Sequence, residues 1–257
     1  MVFAARRDRL QEEGTPPRRQ RQRASRMPGS GFRRLLTFCA IIVLVLLVVP
    51  YVIAPFYRVI NPVSTPILWR WATGQRVQRT VVPLKRIAPV LPLTVILAED
   101  ASFCRNHGID LGAIREALQQ SDDDVAEARG ASTITQQTVK NLFLWPGHSI
   151  VRKVLEIPLA VWLTLVLPKR RIMEIYLNTA EWGPNGEFGI EAGARWAFGK
   201  SAHDLDAWQA AELTAILPNP YLRSARNPST LVRRLAALHE RRAAAHPALA
   251  ACLRGPR

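Results

Sequence analysis

The sequence predicts a mainly α-helical domain that follows a single membrane-spanning helix. Three observations support this fold class: an uncharged apolar run near the start, apolar residues at helical spacing beyond residue 92, and no run with the alternation typical of strands. The chain has 257 residues, of which 48% are hydrophobic and 21% charged, which is enough for one sizeable folded domain and untypical of disorder. We therefore expect one folded domain with an N-terminal appendage.

Residues 1–34 form a basic arm. They include ten arginines against three acidic residues, Asp8, Glu12 and Glu13. A segment of this composition buries too little apolar surface to fold, and its charge attracts anionic lipid head groups. The arm is predicted to be disordered and to contact membrane lipid.

Residues 35–57 contain no charged side chain, and the run is as long as the roughly 20 residues that a spanning helix needs. A cleaved signal peptide is the alternative, but its apolar region would be about 7–15 residues long and would end in a small-residue cleavage site. No such site is evident, which favours a transmembrane helix. Because the arginines precede this helix, the positive-inside tendency predicts a cytoplasmic N-terminus and an extracytoplasmic domain.

The remaining chain divides into a connector, a domain and a tail. Residues 58–92 hold five prolines, which indicates a connector with at most short helices. In the domain, residues 93–228, helical spacing relates Leu111, Ile114 and Leu118, which are expected in the core, with a contact to the bilayer as the alternative. The segment Ile157–Leu167 is uncharged but too short to span a membrane, so a buried core helix is predicted. The Ala- and Arg-rich tail, residues 229–257, is predicted to be a surface helix.

The net charge of +15 is also found in nucleic-acid-binding proteins, but much of the excess lies in the arm and no nucleic-acid-binding module is recognisable. Nucleic acid is therefore not an expected partner, and a phosphate-bearing membrane substrate fits better. Cys39 lies in the apolar run. Cys104 and Cys252 could pair in an oxidising compartment, but two cysteines do not establish a disulfide.

The first segment that could support chemistry is EDASFCRNHGID, which begins at Glu99 after an apolar stretch. If it were helical, Asp100, Phe103 and His107 would lie along one stripe. A carboxylate beside apolar surface can have a raised pKa and act as a general base. Adjacent acids at a helix end are more often solvated, so both interpretations stay open.

The second segment is GASTITQQTVKN, in which Thr133 and Gln136 have capping-box spacing. The free amides of the helix start, with Gly130 and Lys140 nearby, would suit a phosphate. An ordinary helix cap is the alternative.

Two further charged segments follow, RKVLE and KRRIMEIYLN. Arg152 and Glu156 are four apart and share a helical face, where a simple surface ion pair would contribute only about 0.3–0.5 kcal/mol. Glu174 and Asn178 share a face opposite an apolar stripe that includes Ile172, Ile175 and Tyr176. Scaffold and substrate contact are both compatible with that position.

Taken in order with GEFGIEAGARWAFGK and LPNP, these segments resemble the motifs of the peptidoglycan glycosyltransferases, glycosyltransferase family 51. That family includes the N-terminal half of bifunctional, class A penicillin-binding proteins. The resemblance covers roughly residues 93–228, and LNTAEWGPNGEFGIEAGARWAF is especially similar to the monofunctional biosynthetic subgroup. Ala131 departs from the pattern, since the family usually has a second glycine there. No Ser is followed by Lys three residues later and no Lys-Thr-Gly occurs, so no transpeptidase domain is expected.

The resemblance implies a lysozyme-like, bilobed fold with the smaller lobe near the bilayer. It implies a hexosyltransferase of cell wall synthesis that polymerises lipid II into glycan strands. The GlcNAc 4-hydroxyl of lipid II would attack an undecaprenyl-pyrophosphate-linked donor with inversion. It also implies a single-pass protein of the bacterial inner membrane with a periplasmic domain. The expected partners are lipid II, lipid-linked glycan and membrane lipid, with cell-wall synthesis or division proteins as further candidates.

The resemblance also suggests roles for individual residues. Glu99 matches the family's base, and Glu156 its second catalytic glutamate, which either positions cations or holds a divalent ion such as Mg²⁺ or Mn²⁺. The resemblance does not establish that any cofactor is required. Lys140, Arg152 and Lys153 would neutralise the leaving pyrophosphate. The other predicted substrate-binding residues are Asp100, Phe103, Ser132, Thr133, Gln136, Gln137, Asn141, Glu174 and Asn178.

Two rival functions remain. A glycan hydrolase could use the same fold and two carboxylates. A non-catalytic module that binds lipid II or a division partner could retain the fold without activity. The basic residues and the anchor favour transfer over hydrolysis, and the presence of both Glu99 and Glu156 disfavours an inactive module.

Overall fold

The computed structural model describes residues 29–120, 132–147 and 149–254, without the side chains of residues 29, 30 and 117–120. Most of the basic arm, together with Gly130 and Ala131, lies outside the described residues. The chain divides into two compact units, one up to Leu44 and the other from Val45 onward.

The first helix, α1 (Gly29–Ile53), contains the predicted transmembrane segment up to Ile53. A 3-10 helix, Ala54–Arg58, follows it directly. In the part of the chain that the structure describes, α1 together with this 3-10 extension is the one helix that is long and apolar enough to cross a membrane. Its apolar side chains from Phe32 to Val49 are exposed. Such a surface is stable against lipid and unfavourable in water.

The remainder consists of short helices with two very short parallel strands, which pair Gln78 with Glu187 and Arg79 with Phe188. The mainly α class with one preceding apolar helix is confirmed, and the lysozyme-like, bilobed arrangement stays a prediction. The helices are α2 (Thr65–Ala72), α3 (Val90–Glu99), α4 (Leu111–Gln120), α5 (Ile134–Phe143), α6 (Ile150–Val166), α7 (Lys169–Thr179), α8 (Ile190–Phe198), α9 (Ala207–Ile216) and α10 (Thr230–Ala245). The strands are β1 (Gln78–Arg79) and β2 (Glu187–Phe188), and further 3-10 helices span Leu84–Arg86, Ala202–Asp204 and Pro247–Leu253.

The core forms around α3 and α5. Helix α3 packs against α9 and α10, and its residues Leu91, Val95 and Ile96 are fully buried. Helix α5 packs against α6 and α7. Because α3 is held on two sides, the residue at its C-terminal end, Glu99, has a fixed position relative to the domain.

The predicted connector is part of this core rather than a free spacer. Ile67 on α2 is fully buried, and Leu84 is 7% exposed. Asn178 on α7 accepts a hydrogen bond from the Val82 amide and donates one to the Val82 carbonyl, both at 2.9 Å. Glu174 accepts from the Leu84 amide at 2.7 Å. Both side chains therefore fasten the connector to α7.

The tail also belongs to the domain. The predicted helix is present as α10, but Val232 and Ala236 on it are fully buried against the core. After α10, Cys252 forms a disulfide with Cys104, with the two Cα atoms 5.5 Å apart and 148 residues of separation. The bridge joins the segment after α3 to the last 3-10 helix. Closing a loop of this length stabilises the fold by about 5 kcal/mol in the chain-entropy model.

Two expectations for burial hold only in part. The segment Ile157–Leu167 is not an independent core helix, because α6 begins at Ile150 and includes the RKVLE segment. Only one side of α6 faces the core: Leu163 is fully buried, whereas Leu165 is 69% exposed. Leu111, another expected core residue, is 70% exposed. Periodicity identified an apolar helix face in each case but not what covers it.

Candidate functional site

Glu99 is the last residue of α3, and the helix stops there because Asp100 leaves the helical region with φ −162° and ψ 79°. Residues 101–108 form turns, so the helical stripe of Asp100, Phe103 and His107 is not present. The buried Asp100 carboxylate accepts hydrogen bonds from the Ser102 hydroxyl, the Asn106 amide and the Ile134 backbone N–H, each at 3.0 Å. Asp100 therefore ties the end of α3 to the start of α5.

The predicted capping box at the start of α5 is confirmed. The Thr133 hydroxyl oxygen accepts from the Gln136 amide at 3.1 Å, and the Gln136 side chain accepts from the Thr133 amide at 2.9 Å. The Thr133 hydroxyl also donates to the Gly108 carbonyl at 2.6 Å. Both residues are 1% exposed, so they fix the position of the start of α5.

Gln137 connects Glu99 to a buried tyrosine. Its amide nitrogen donates to Glu99 Oε2 at 2.8 Å, and its amide oxygen accepts from the Tyr176 hydroxyl at 3.0 Å. Burial raises the pKa of Glu99, an effect opposed by the Gln137 hydrogen bond and by the charges of Lys140 and Arg223, while Asp100 adds to the rise. A carboxylate in this environment is a stronger base than one in water.

Arg152, Lys153 and Glu156 lie on the first turns of α6, which the Ser149 hydroxyl caps by accepting from the Arg152 amide. Arg152 pairs with Glu156 Oε1, and the Lys153 ammonium lies 3.4 Å from Glu156 Oε2. Lys153 also donates to the Ser132 hydroxyl. Arg152 is 7% exposed and Glu156 2%. The alternative of a simple surface ion pair is therefore wrong.

Lys140 links the two halves of the site. Burial lowers the pKa of Lys140, and the charges of Arg152 and Lys153 lower it further, whereas Glu156 and Glu99 raise it. Lys140 is therefore within electrostatic reach of both glutamates. We call Lys140, Arg152 and Lys153 the cation cluster. The arrangement places a base of raised pKa beside three cations.

One member of the cation cluster has an unused hydrogen-bond donor. Arg152 Nε is buried and has no partner among the described residues. Such a donor is costly to leave unpaired, so a ligand with an acceptor oxygen would be stabilised there.

Several predicted substrate-binding residues make contacts that support the fold, and their role in binding stays a prediction. Phe103 is fully buried under Lys169, whose ammonium is 4.6 Å from the ring centroid. Burial lowers the pKa of Lys169 to about 8. The Asn141 carbonyl accepts from the Thr65 hydroxyl at 3.2 Å. Near the two glutamates the structure brings together Ser132, Gln137, Lys140, Arg152 and Lys153, whereas Asp100, Phe103, Thr133, Gln136, Glu174 and Asn178 hold elements of the fold together.

Sequence reasoning missed two residues that act on Glu99. Tyr176 was assigned only to the apolar stripe of α7, although a buried tyrosine hydroxyl usually needs a hydrogen-bond partner. Arg223 follows α9, donates to the Ala215 carbonyl at 2.9 Å and lowers the pKa of Glu99 by its charge. No local pattern marks Arg223, because only the chain reversal after α9 brings it near α3.

The described residues do not form a metal site. They contain no group of three or more His, Cys, Asp or Glu side chains placed to hold an ion. Glu156, the candidate ligand, has one carboxylate oxygen paired with Arg152 and the other with Lys153. A divalent cation would have to displace these partners.

Comparisons with known proteins agree with this geometry. The transglycosylase family profile matches residues 67–243. The chain is 54% identical over 213 residues to the biosynthetic peptidoglycan transglycosylase of Rhodopseudomonas palustris strain TIE-1, covering 83% of this chain and 90% of that protein. A protein of the same name from Nitrobacter hamburgensis is 52% identical, covering 83% of this chain and 94% of that protein. Another from Agrobacterium fabrum is 45% identical, covering 86% of this chain and 98% of that protein. With most of its length matched at such identity, the chain belongs to the transglycosylase family.

Proposed function

We propose that this protein is a monofunctional peptidoglycan glycosyltransferase that polymerises lipid II into glycan strands for the cell wall. The observation that carries the proposal is the pairing of a half-buried carboxylate of raised pKa, Glu99, with the adjacent cation cluster. The printed names of the relatives, biosynthetic peptidoglycan transglycosylase, support the choice of substrate. The donor is a growing glycan on undecaprenyl pyrophosphate, and the acceptor is lipid II.

Glu99 acts as the general base in this proposal. The acceptor's GlcNAc 4-hydroxyl is a weak nucleophile, and proton removal as it attacks the anomeric carbon accelerates the reaction. The raised pKa brings the Glu99 carboxylate closer to working pH, where a base is most effective. The displacement proceeds with inversion, so the carbon–oxygen bond to the donor's pyrophosphate breaks on the opposite face.

The cation cluster receives the pyrophosphate. Its developing negative charge is stabilised by fixed cations, so no acid has to protonate it. Arg152 can grip phosphate oxygens through its planar fork, and its Nε, which has no partner among the described residues, gives it an available donor. Glu156 holds Arg152 and Lys153 in place, since its two oxygens contact both side chains. No step of this mechanism is assigned to a metal.

We place the protein in the bacterial inner membrane as a single-pass protein, with its N-terminus in the cytoplasm and its domain in the periplasm. The apolar surface of α1 supports the anchor, and the arginine-rich arm supports the orientation. The Cys104–Cys252 disulfide supports an oxidising compartment for the domain. In this location, cell-wall synthesis or division proteins are the expected protein partners.

The domain also offers an apolar surface suited to a bilayer. On α6 the exposed side chains include Ile150, Val151, Val154 and Leu165, and Trp69 on α2 is 65% exposed. Exposed apolar residues on this scale are typical of membrane or protein contact. A bilayer contact would bring the domain to a substrate whose lipid stays in the membrane.

Polymerisation of labelled lipid II by the detergent-solubilised full-length protein tests the proposal. We expect wild type to produce glycan polymer, Glu99→Gln to lose it, and the control Glu240→Gln on α10 to retain it. Cleavage of finished glycan instead of polymer would indicate a hydrolase. Lipid II binding without any turnover by folded wild type would indicate a binding module.

A further inference from the structure

Tyr176 on α7 reaches Glu99 through one intermediate side chain. Its hydroxyl donates to the oxygen of the Gln137 amide at 3.0 Å, and the nitrogen of that amide donates to Glu99 Oε2 at 2.8 Å. Tyr176 is 1% exposed. The three side chains come from three helices, α7, α5 and α3, so the packing of the core determines their alignment.

We propose that Tyr176 is a positioning residue that fixes the orientation of the Gln137 amide, so that its NH₂ group faces Glu99 and keeps the base ionised. This inference rests on the proposed role of Glu99 as the base. Tyr176 does not touch substrate and acts through Gln137 alone.

The reasoning follows from the two faces of a glutamine amide. One face only donates hydrogen bonds and the other only accepts them. With NH₂ toward Glu99, the amide stabilises the carboxylate form. In the reverse orientation the amide oxygen would face Glu99, an arrangement that is stable only when Glu99 carries a proton.

In the structure the Tyr176 hydroxyl donates to the amide oxygen, which favours the orientation with NH₂ toward Glu99. Among the hydrogen bonds of the described residues, Gln137 Oε1 accepts only from Tyr176. Without that hydroxyl, the half-buried amide oxygen would have no donor among the described residues, and a protonated Glu99 would be the nearest replacement. An unpaired buried acceptor is costly, so the balance would move toward protonated Glu99.

The charged groups around Glu99 act on its pKa and do not orient the Gln137 amide, whereas Tyr176 does. Asp100 adjoins it on the chain and raises its pKa, while Lys140 from α5 and Arg223 from the segment after α9 lower it. Burial raises the pKa of Tyr176 well above its ordinary value, so the phenol keeps its proton throughout the working pH range. Lys140 and Arg223 contribute charge but make no hydrogen bond to Gln137 among the described contacts.

The test compares Tyr176→Phe with wild type and with Thr138→Val in the full-length protein. Thr138→Val is a matched control, because Thr138 is fully buried on α5 beside Gln137 and, within the part of the chain that the structure describes, its hydroxyl bonds only the Ile134 carbonyl, at 2.8 Å. We expect Tyr176→Phe to move the acid limb of the kcat profile up by about half a pH unit and so to lower kcat about threefold on that limb. The KM for lipid II should not change, and the control should match wild type. In a Gln137→Ala background, Tyr176→Phe should not move the acid limb of the kcat profile any further.

A second measurement does not depend on turnover. Titration of ¹³C-labelled glutamate carboxylates, assigned by difference from Glu99→Gln, should show a higher pKa for Glu99 in Tyr176→Phe than in wild type. An unchanged Glu99 pKa, a changed KM with an unmoved limb, or additive effects with Gln137→Ala would each overturn the inference. Full polymerisation by Glu99→Gln would overturn the assignment of the base itself, and the absence of polymer from wild type would overturn the proposed function whatever the titration shows.

Discussion

Arg152 and Glu156 form an ion pair one turn apart on α6, and both side chains are almost completely buried. Another pair has the same spacing but a different environment: Arg195 pairs with Glu191 on α8, and the Arg195 side chain is 63% exposed. The Glu191 side chain is also buried, so burial of the arginine is what separates the two pairs. It makes the first one costly to break, since the remaining charge has no water to solvate it.

These two pairs give the first prediction. Arg152→Gln should lower the free energy of unfolding by about 3–5 kcal/mol and abolish polymerisation, because Glu156 would be left buried with fewer partners. Arg195→Gln should cost less than about 1 kcal/mol and leave activity intact. Denaturant unfolding followed by circular dichroism would measure both. Equal losses for the two variants would show that burial does not determine the strength of the Arg152 pair.

The second prediction concerns pH. Glu99 must be ionised to act as a base and burial raises its pKa, so activity should rise with pH through a value above the ordinary range of glutamate. Lys140 must be protonated to stabilise the leaving group and its pKa is lowered, so activity should fall at a pH below the ordinary lysine value. Polymerisation rates across pH would show both limbs. Lys140→Arg should move only the alkaline limb upward, and an unmoved limb would exclude Lys140 as its source.

The third prediction concerns the disulfide. Cys252→Ser should lower the thermal unfolding midpoint by about 10 °C or more, since loss of about 5 kcal/mol in a domain of this size has that effect. Cys39→Ser is the control, because Cys39 is an exposed free cysteine on α1. Thermal scans with and without reductant would provide the measurement. A midpoint insensitive to reductant in wild type would mean that the bridge does not form.

The fourth prediction separates scaffold from substrate contact at Asn178. Because both of its hydrogen bonds to Val82 are internal, Asn178→Ala should destabilise the fold by about 2 kcal/mol and leave the KM for lipid II unchanged. The exposed Asn185 provides the control, and Asn185→Ala should alter neither quantity. A raised KM at full stability would return Asn178 to the substrate-binding residues.

The sequence was sufficient for features that depend on local pattern. The long apolar helix follows from an uncharged run, and the Thr133–Gln136 cap follows from its spacing. Features that depend on tertiary contacts were beyond it. Leu163 is buried and Leu165 is exposed, although both belong to one uncharged apolar segment. The sequence did not distinguish them, because burial depends on which helices pack against α6.

Residue type alone also failed to separate substrate-facing side chains from structural ones. Asp100 and Glu99 are adjacent carboxylates, yet one anchors the start of α5 and the other faces Gln137 and the cation cluster. The difference arises at a single backbone position, where the chain leaves α3. Likewise, the pairing of Cys104 with Cys252 depends on the return of the chain after α10 to the segment that follows Glu99.

That return also sets an order of events in biosynthesis. In the proposed topology, the segment bearing Glu99 emerges early during export, and Cys252 follows 148 residues after Cys104. The covalent tie beside the base can therefore form only after α4 to α10 have crossed the membrane. The finished bridge marks a domain that has been completely exported, and a chain stalled midway would lack it.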